Sequence, residues 1–305
     1  MLSILIPVYN FNVVPLVREV YNQVTESDIM FEIIILDDCS DVHFKEQNRT
    51  IKDWKHVKYE ELSVNIGRSK IRNKMAGMAA YPWLLFLDCD TQIVRNDYIA
   101  AYLEYCDGEI VVCGGRTYRD TKPENHDHYL RWKYGINREQ KPAAVRNLRP
   151  WHSFMTNNFL MAASVFKQVS FDESIVKYGH EDTFFGIELR RKKIPVLHID
   201  NPLVHIGLES GVEFLAKTKE GVENLYQLLQ HKAGYKEELI SGIKLLAHFS
   251  ILKRTRTLQV YWLFFRIMKK VILSNVLGRR PCLLLFDLCK LGFLIEKAIT
   301  YSKKD

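Results

Sequence analysis

The feature that most constrains this chain is a set of short strands that are apolar throughout. Ser3–Tyr9 runs to Asn10, Phe31–Leu36 stops at Asp37-Asp38-Cys39-Ser40, and Trp83–Leu87 stops at Asp88-Cys89-Asp90. A strand exposed on one face alternates apolar and polar residues, so an unbroken apolar run requires cover on both faces. The segments between the runs carry helical spacing: Val13–Thr25, with Pro15 near its start, then Gly67–Ala80 and Tyr98–Cys106. Further strands are expected at Val57–Glu60, Ile110–Cys113, Thr156–Ala162 and, as the last clear one, Val196–Ile199. The pattern predicts an α/β fold, a Rossmann-like, mostly parallel sheet with helices on both faces. Ligands of such sheets bind beyond the carboxyl ends of the strands, where the acidic residues stand.

Those residues suggest chemistry. Asp88-x-Asp90, extended after its strand, places two carboxylates to share one hard cation such as Mg²⁺ or Mn²⁺, with positions left for phosphate oxygens. Asp37-Asp38 follows its own buried strand, where a carboxylate can accept the imide N–H of a uracil ring. Asn65-x-Gly67-x-Ser69-x-x-Arg72-Asn73 leads into a helix whose N-terminus and guanidinium suit a nucleotide diphosphate. Glu181-Asp182 opens another helix, and adjacent carboxylates push each other's pKa apart, which suits one of them to act as a base. Each feature also has a plain structural reading, as a turn, a helix cap or first-turn acidity.

In this order the residues resemble glycosyltransferase family 2: Pro7-Val8-Tyr9-Asn10, Leu36-Asp37-Asp38-Cys39-Ser40, Asn65-Ile66-Gly67 through Arg72-Asn73, Phe86-Leu87-Asp88-Cys89-Asp90, Asn157-Asn158-Phe159 with Phe171-Asp172-Glu173, and Gly179-His180-Glu181-Asp182. The ordered set spans residues 1–210 and is far more specific than any single motif. The resemblance implies a GT-A fold, a nucleotide-sugar donor (a UDP-sugar first), a divalent metal (Mn²⁺ or Mg²⁺) and inversion at the anomeric carbon. By the family's pattern Pro7 and Tyr9 wall the nucleobase, Asp38 contacts it, Arg72 lies beside the nucleoside and Asp88 faces the ribose and donor sugar. Asp90 binds the metal, His205 stands where relatives supply a histidine to it, Asp182 is the general base and Glu181 holds a sugar. The stretch Tyr178 to Arg190 looks most like galactosyl- and N-acetylgalactosaminyl-transferring relatives. Cys89 is an unusual middle residue, and the Gln-x-x-Arg-Trp motif of processive synthases is absent, so one transfer per binding event is expected.

The domains expected are a catalytic one at 1–210, with a polar lid or insertion at 117–150, and a helical basic region at 211–305. The charge divides along the chain: residues 241–305 hold 13 Lys and Arg against 3 Asp and Glu, although the whole chain is only +7. Such a tail points to an anionic surface. Its apolar stretches Leu245–Leu252, Val260–Leu273 and Cys282–Ile295 are interrupted by charges, which fits helices lying in the plane of a membrane and equally a helical subdomain packed on itself. Nucleic acid is disfavoured, because large aliphatics outnumber aromatics that would stack on bases. Six cysteines without zinc or CxxC spacing read as reduced thiols, and the N-terminus carries no signal-peptide pattern. The expectation is therefore a cytoplasmic enzyme, peripheral on the cytoplasmic membrane face, with a glycan or lipid-linked acceptor. The rivals are a nucleotidyltransferase, disfavoured because no G-x-G-x-x-G follows the first strand, and a non-catalytic sugar-binding protein on the same fold.

Overall fold

In the computed structural model, which describes residues 1–301, strand β1 (Leu2–Val8) shows why an apolar run needs two covered faces. Leu2, Ile4, Ile6 and Val8 pack on one side with Leu16, Val17, Val20 and Val24 of the helix Val14–Glu26. Leu5 points to the other side, where it joins Ile71 and Met75 of the helix Arg68–Met78. Two-residue periodicity thus splits one continuous run between two cores.

The other strands are β2 (Phe31–Asp37), β3 (Val57–Glu61), β4 (Trp83–Leu87), β5 (Thr91–Gln92), β6 (Val111–Cys113), β7 (Arg116–Thr117), β8 (Asn158–Ala162), β9 (Val196–His198) and β10 (Leu203–His205). Seven of them form the main sheet in the order β3-β2-β1-β4-β8-β6-β9. Every pairing is parallel except those of β8, which runs antiparallel to β4 and β6. Pairing of β1 with β2 continues to Val8–Asp37, whereas pairing with β4 stops at Leu5–Phe86. The sheet therefore parts between β1 and β4 at its carboxyl edge, and Pro7, with no N–H to donate, stands where the pairing with β4 has already ended. A second, three-stranded sheet has the order β5-β10-β7. Its strand β10 follows the last strand expected from the sequence.

The chain divides into two units. The first comprises residues 1–119, 139–176 and 181–207 and contains both sheets. The second takes 120–138, 177–180 and the chain from 208 onward. The stretch 117–150, read from its polarity as a lid or insertion, is shared between them. Its later part is scaffold of the first unit: buried Arg146 donates to the carbonyls of Cys113, Gly114 and Ile199 at 3.1, 3.1 and 2.7 Å. A guanidinium that satisfies three backbone acceptors explains how so polar a segment becomes interior.

The second unit is helical. Gly211–His231 begins with a capping box, Ser210 and Glu213 each bonding the other's backbone N–H. Lys236–Gly242, Lys244–Arg254, Leu258–Val276 and Leu283–Tyr301 follow. The helix Leu283–Tyr301 buries Phe286, Cys289, Phe293, Leu294 and Ile295. No helix among the described residues is long and apolar enough to cross a membrane.

Candidate active site

The carboxyl edge of the main sheet gathers the residues that the sequence singles out. After β2, Asp37 and Asp38 divide the labour. Asp37 is fully buried, accepting the Ser40 N–H at 2.6 Å and the Tyr59 hydroxyl at 3.2 Å, and so shapes the turn. Asp38 accepts the backbone N–H groups of Ile66 and Gly67 at 2.7 and 3.0 Å. Burial raises its pKa against these two bonds. Gly67 adopts φ +83°, a conformation open to glycine at little cost, and directs the chain into the helix Arg68–Met78. Asp38 is thus first a clasp on the loop before this helix, and each oxygen keeps a second lone pair. Beside it, at the end of β1, Pro7 is half-buried and Tyr9 is 55% exposed.

One and a half turns into that helix lies Arg72, only 3% exposed. Its Nη2 bonds Asp88 Oδ1 at 2.8 Å, and its Nη1 lies 4.0 Å from Glu181 Oε1. Arg68 approaches the same Glu181 oxygen at 3.6 Å. One guanidinium therefore stands between the D-x-D segment and the Glu181-Asp182 pair. Asn73, on the next position, clamps the Phe171-Asp172-Glu173 loop, donating to the Phe171 carbonyl and accepting the Phe171 N–H, each at 2.9 Å.

The D-x-D alternates as an extended segment must. Asp88 accepts Arg72 on one oxygen and Arg116, at 3.3 Å, on the other. Cys89 turns inward against the core, which accounts for an apolar middle residue and pushes its thiol pKa up through burial. Asp90 is brought to His205 by the small sheet: β5 and β10 pair Thr91 with His205, and the Ile206 N–H donates to the Asp90 carbonyl at 3.0 Å. Gly207 permits this approach, because a Cβ there would stand 2.8 Å from the Asp90 Cβ.

Asp90 Oδ2 and His205 Nδ1 are 3.5 Å apart. Asp90 Oδ1 and both ring nitrogens of His205 are buried with no hydrogen-bond partner. Buried polar atoms are ordinarily satisfied, so orphans on two metal-ligand side chains fit a divalent cation held by one Asp90 oxygen and one imidazole nitrogen. Burial opposes ionisation of Asp90, yet His205, Arg116 and Arg68 hold its carboxyl below the usual range. Among the described residues no cluster of three or more His, Cys, Asp or Glu is placed for a metal, so a cation here would draw its remaining ligands from water or a diphosphate.

Glu181 and Asp182 open the helix Glu181–Arg191. Glu181 is buried and Asp182 half-buried. Burial, reinforced by the Glu181 charge, pushes the Asp182 pKa up to about 6, although Thr183 donates to it.

Sequence reasoning missed Arg116. Its Nη1 is 3.6 Å from Glu139 Oε2, and Tyr118 bonds the same oxygen while meeting the His205 ring edge-on at 5.5 Å. Burial works against the Arg116 charge, but Tyr118, Glu139, Asp90 and Asp88 raise its pKa overall. A two-residue strand carries no periodicity, so only the pairing of β7 with β10 could reveal it. Trp151 donates its indole N–H to the Ile194 carbonyl at 2.9 Å.

Comparison with known proteins accords with this geometry. The family Glycosyl transferase family 2 matches residues 3–169. The fold resembles that of Mannosyltransferase PcManGT from Pyrobaculum calidifontis, solved with GDP-Man and Mn²⁺, at 13% identity and a TM-score of 0.59, covering 98% of this chain and 86% of that one. It also resembles S. aureus TarS 1-349, at 16% identity and a TM-score of 0.50, covering 100% of this chain and 92% of that one. Comparison with curated proteins yields no match.

Proposed function

The chain belongs to glycosyltransferase family 2, and from that premise we propose that it moves one sugar from a nucleotide-sugar to an acceptor hydroxyl, inverting the anomeric carbon. The observation that carries the reading is Arg72, which lies within 2.8 Å of Asp88 and 4.0 Å of Glu181 and so joins the donor-side and base-side carboxylates in one cluster. In this reading Pro7 and Tyr9 flank the base, Asp38 accepts its N–H, Asp88 orients the ribose and donor sugar, and Glu181 holds a sugar hydroxyl. Asp90 and His205 would hold Mn²⁺ or Mg²⁺, which when bound neutralises charge on the leaving diphosphate.

Asp182 takes the proton of the acceptor hydroxyl as its oxygen bonds to the anomeric carbon. The bond from that carbon to the diphosphate oxygen breaks on the opposite face, and the electron pair leaves with the nucleoside diphosphate. A carboxylate with a pKa near 6 is a stronger base than an ordinary aspartate and is still ionised at neutral pH. Arg116, held by Asp88 and Glu139, adds a fixed positive charge beside the D-x-D.

The donor is a UDP-sugar, with UDP-galactose and UDP-N-acetylgalactosamine first in line from the Gly179-His180-Glu181-Asp182 segment. The acceptor is a glycan or lipid-linked sugar met at the cytoplasmic face of a membrane, a reading that suits six free cysteines. The test is nucleoside diphosphate release from a panel of UDP- and GDP-sugars, with Mn²⁺ and with EDTA, supplying membrane lipid extract as acceptor. Metal-dependent release from one donor and a β-linked product from an α-linked donor are expected. Silence with every donor, together with no UDP-sugar binding, overturns the transferase reading, and an α-linked product overturns inversion.

A further inference from the structure

The helix Leu258–Val276 has two apolar faces, and one of them is left open. Phe265, Ile272 and Val276 are buried, with Phe265 against Gly292, where a Cβ would come within 2.4 Å of the ring. Val260, Leu263, Phe264, Ile267 and Val271 are between 45% and 69% exposed. At 3.6 residues per turn these five fall within an arc of roughly 100°, opposite the three buried residues. Exposed aliphatics scattered singly are ordinary, whereas a continuous stripe marks an interaction surface.

The charge around the stripe selects its partner. Arg266 and Lys270 lie along one edge, Arg254 and Arg256 precede the helix, and Arg279 and Arg280 follow it, all six exposed. Among the described residues none of the six is paired with a carboxylate. Lys269, towards the packed side, differs: it bonds Glu296 at 2.9 Å. We propose that the stripe is the surface by which this protein docks on an anionic lipid membrane, the helix lying in the headgroup plane with Leu263, Phe264 and Ile267 entering the acyl boundary and the cations meeting lipid phosphates. A second copy of the chain would instead set unpaired cations against their like. The proposal deepens the transferase reading, resting on it for the reason such an enzyme meets a membrane; its test needs no turnover, so either can fail alone.

The test is co-sedimentation of the full chain with phosphatidylcholine vesicles, with and without phosphatidylglycerol. The comparison set is wild type, an Ile267→Glu/Val271→Glu variant and an Arg266→Gln/Lys270→Gln variant, with circular dichroism melts to confirm folding. Wild type is expected to pellet only with the anionic vesicles. Each double variant should lower the partition coefficient about tenfold or more, and high salt should act like the glutamine pair. Three outcomes overturn the proposal: wild type left in solution with anionic vesicles, folded variants that bind as wild type does, or a wild-type dimer in light scattering that the glutamates dissolve. If the glutamate variant fails to fold, the glutamine pair and the salt dependence decide alone.

Discussion

The two units of this chain treat charge in opposite ways. In the sheet-bearing unit the arginines near the carboxyl edge are spent on carboxylates: Arg72 and Arg116 on Asp88, Arg68 on Glu181. In the helical unit the exposed cations Arg254, Arg256, Arg266, Lys270, Arg279 and Arg280 have no carboxylate partner among the described residues and border exposed aliphatics, although Lys269 bonds Glu296. A cluster of compensated charges is preorganised, so a small polar ligand enters a site whose dipoles are already fixed. A row of uncompensated cations beside an apolar stripe has no shape to preserve and suits an extended surface. The lesson is that net charge in a sequence says little until pairing is known.

The largest effect that sharpens this contrast is expected at Asp182. Asp182→Asn should lower transfer by roughly 10²- to 10⁴-fold, the usual worth of a general base. In wild type, transfer should rise with pH through about 6 and then level, since the base works ionised. Stability moves the other way: the folded pKa lies above the ordinary 3.8, so stability present below that value is lost as pH rises through about 6. The asparagine variant should therefore melt no lower than wild type at pH 7.5, and a large drop in its melting point would recast Asp182 as a structural residue.

Next comes the metal pair. Asp90→Ala should cost about 10²- to 10³-fold in Mn²⁺-stimulated turnover, weaken Mn²⁺ binding in calorimetry, and leave a rate in EDTA equal to that of wild type. Equal metal stimulation in the variant would break the assignment.

Arg72→Met tests whether compensated charge holds the first unit together. Removing one partner of a buried pair strands Asp88 and Glu181 near each other, and a loss of about 3 kcal/mol in urea unfolding is expected. An unchanged midpoint would mean that Arg116 and Arg68 suffice.

Gly292→Ala is the smallest probe and belongs to the helical unit. Its Cβ would meet the Phe265 ring at 2.4 Å, so overpacking should cost about 2 kcal/mol. A neutral result would show that the helices Leu258–Val276 and Leu283–Tyr301 part readily.

Much of the sheet was legible because burial on both faces writes itself as unbroken apolar runs: Trp83–Leu87 is a strand with the bounds expected. The short strands were not. β7 and β10 are two and three residues long, too short for any period, yet they deliver Arg116 and His205 to the D-x-D. His205 was legible only through a family motif, and Arg116 left no sequence signal. Within the polar stretch 117–150, composition could not show that Arg146 finds the carbonyls of Cys113, Gly114 and Ile199 inside. In the tail, Cys282–Ile295 and Val260–Leu273 look alike as apolar sequence, but Leu283–Tyr301 is packed while Leu258–Val276 keeps one face open.

Local periodicity and the places where apolar runs must stop set the order of the longer strands and their helices, and the types of residue at the strand ends. Pairing belongs to the fold alone: which carboxylate Arg72 and Arg116 compensate, that Asp90 and His205 stand side by side, and which face of one helix stays exposed. Those are relations between residues far apart in the chain, and only folding sets the distances on which electrostatic and packing energies depend.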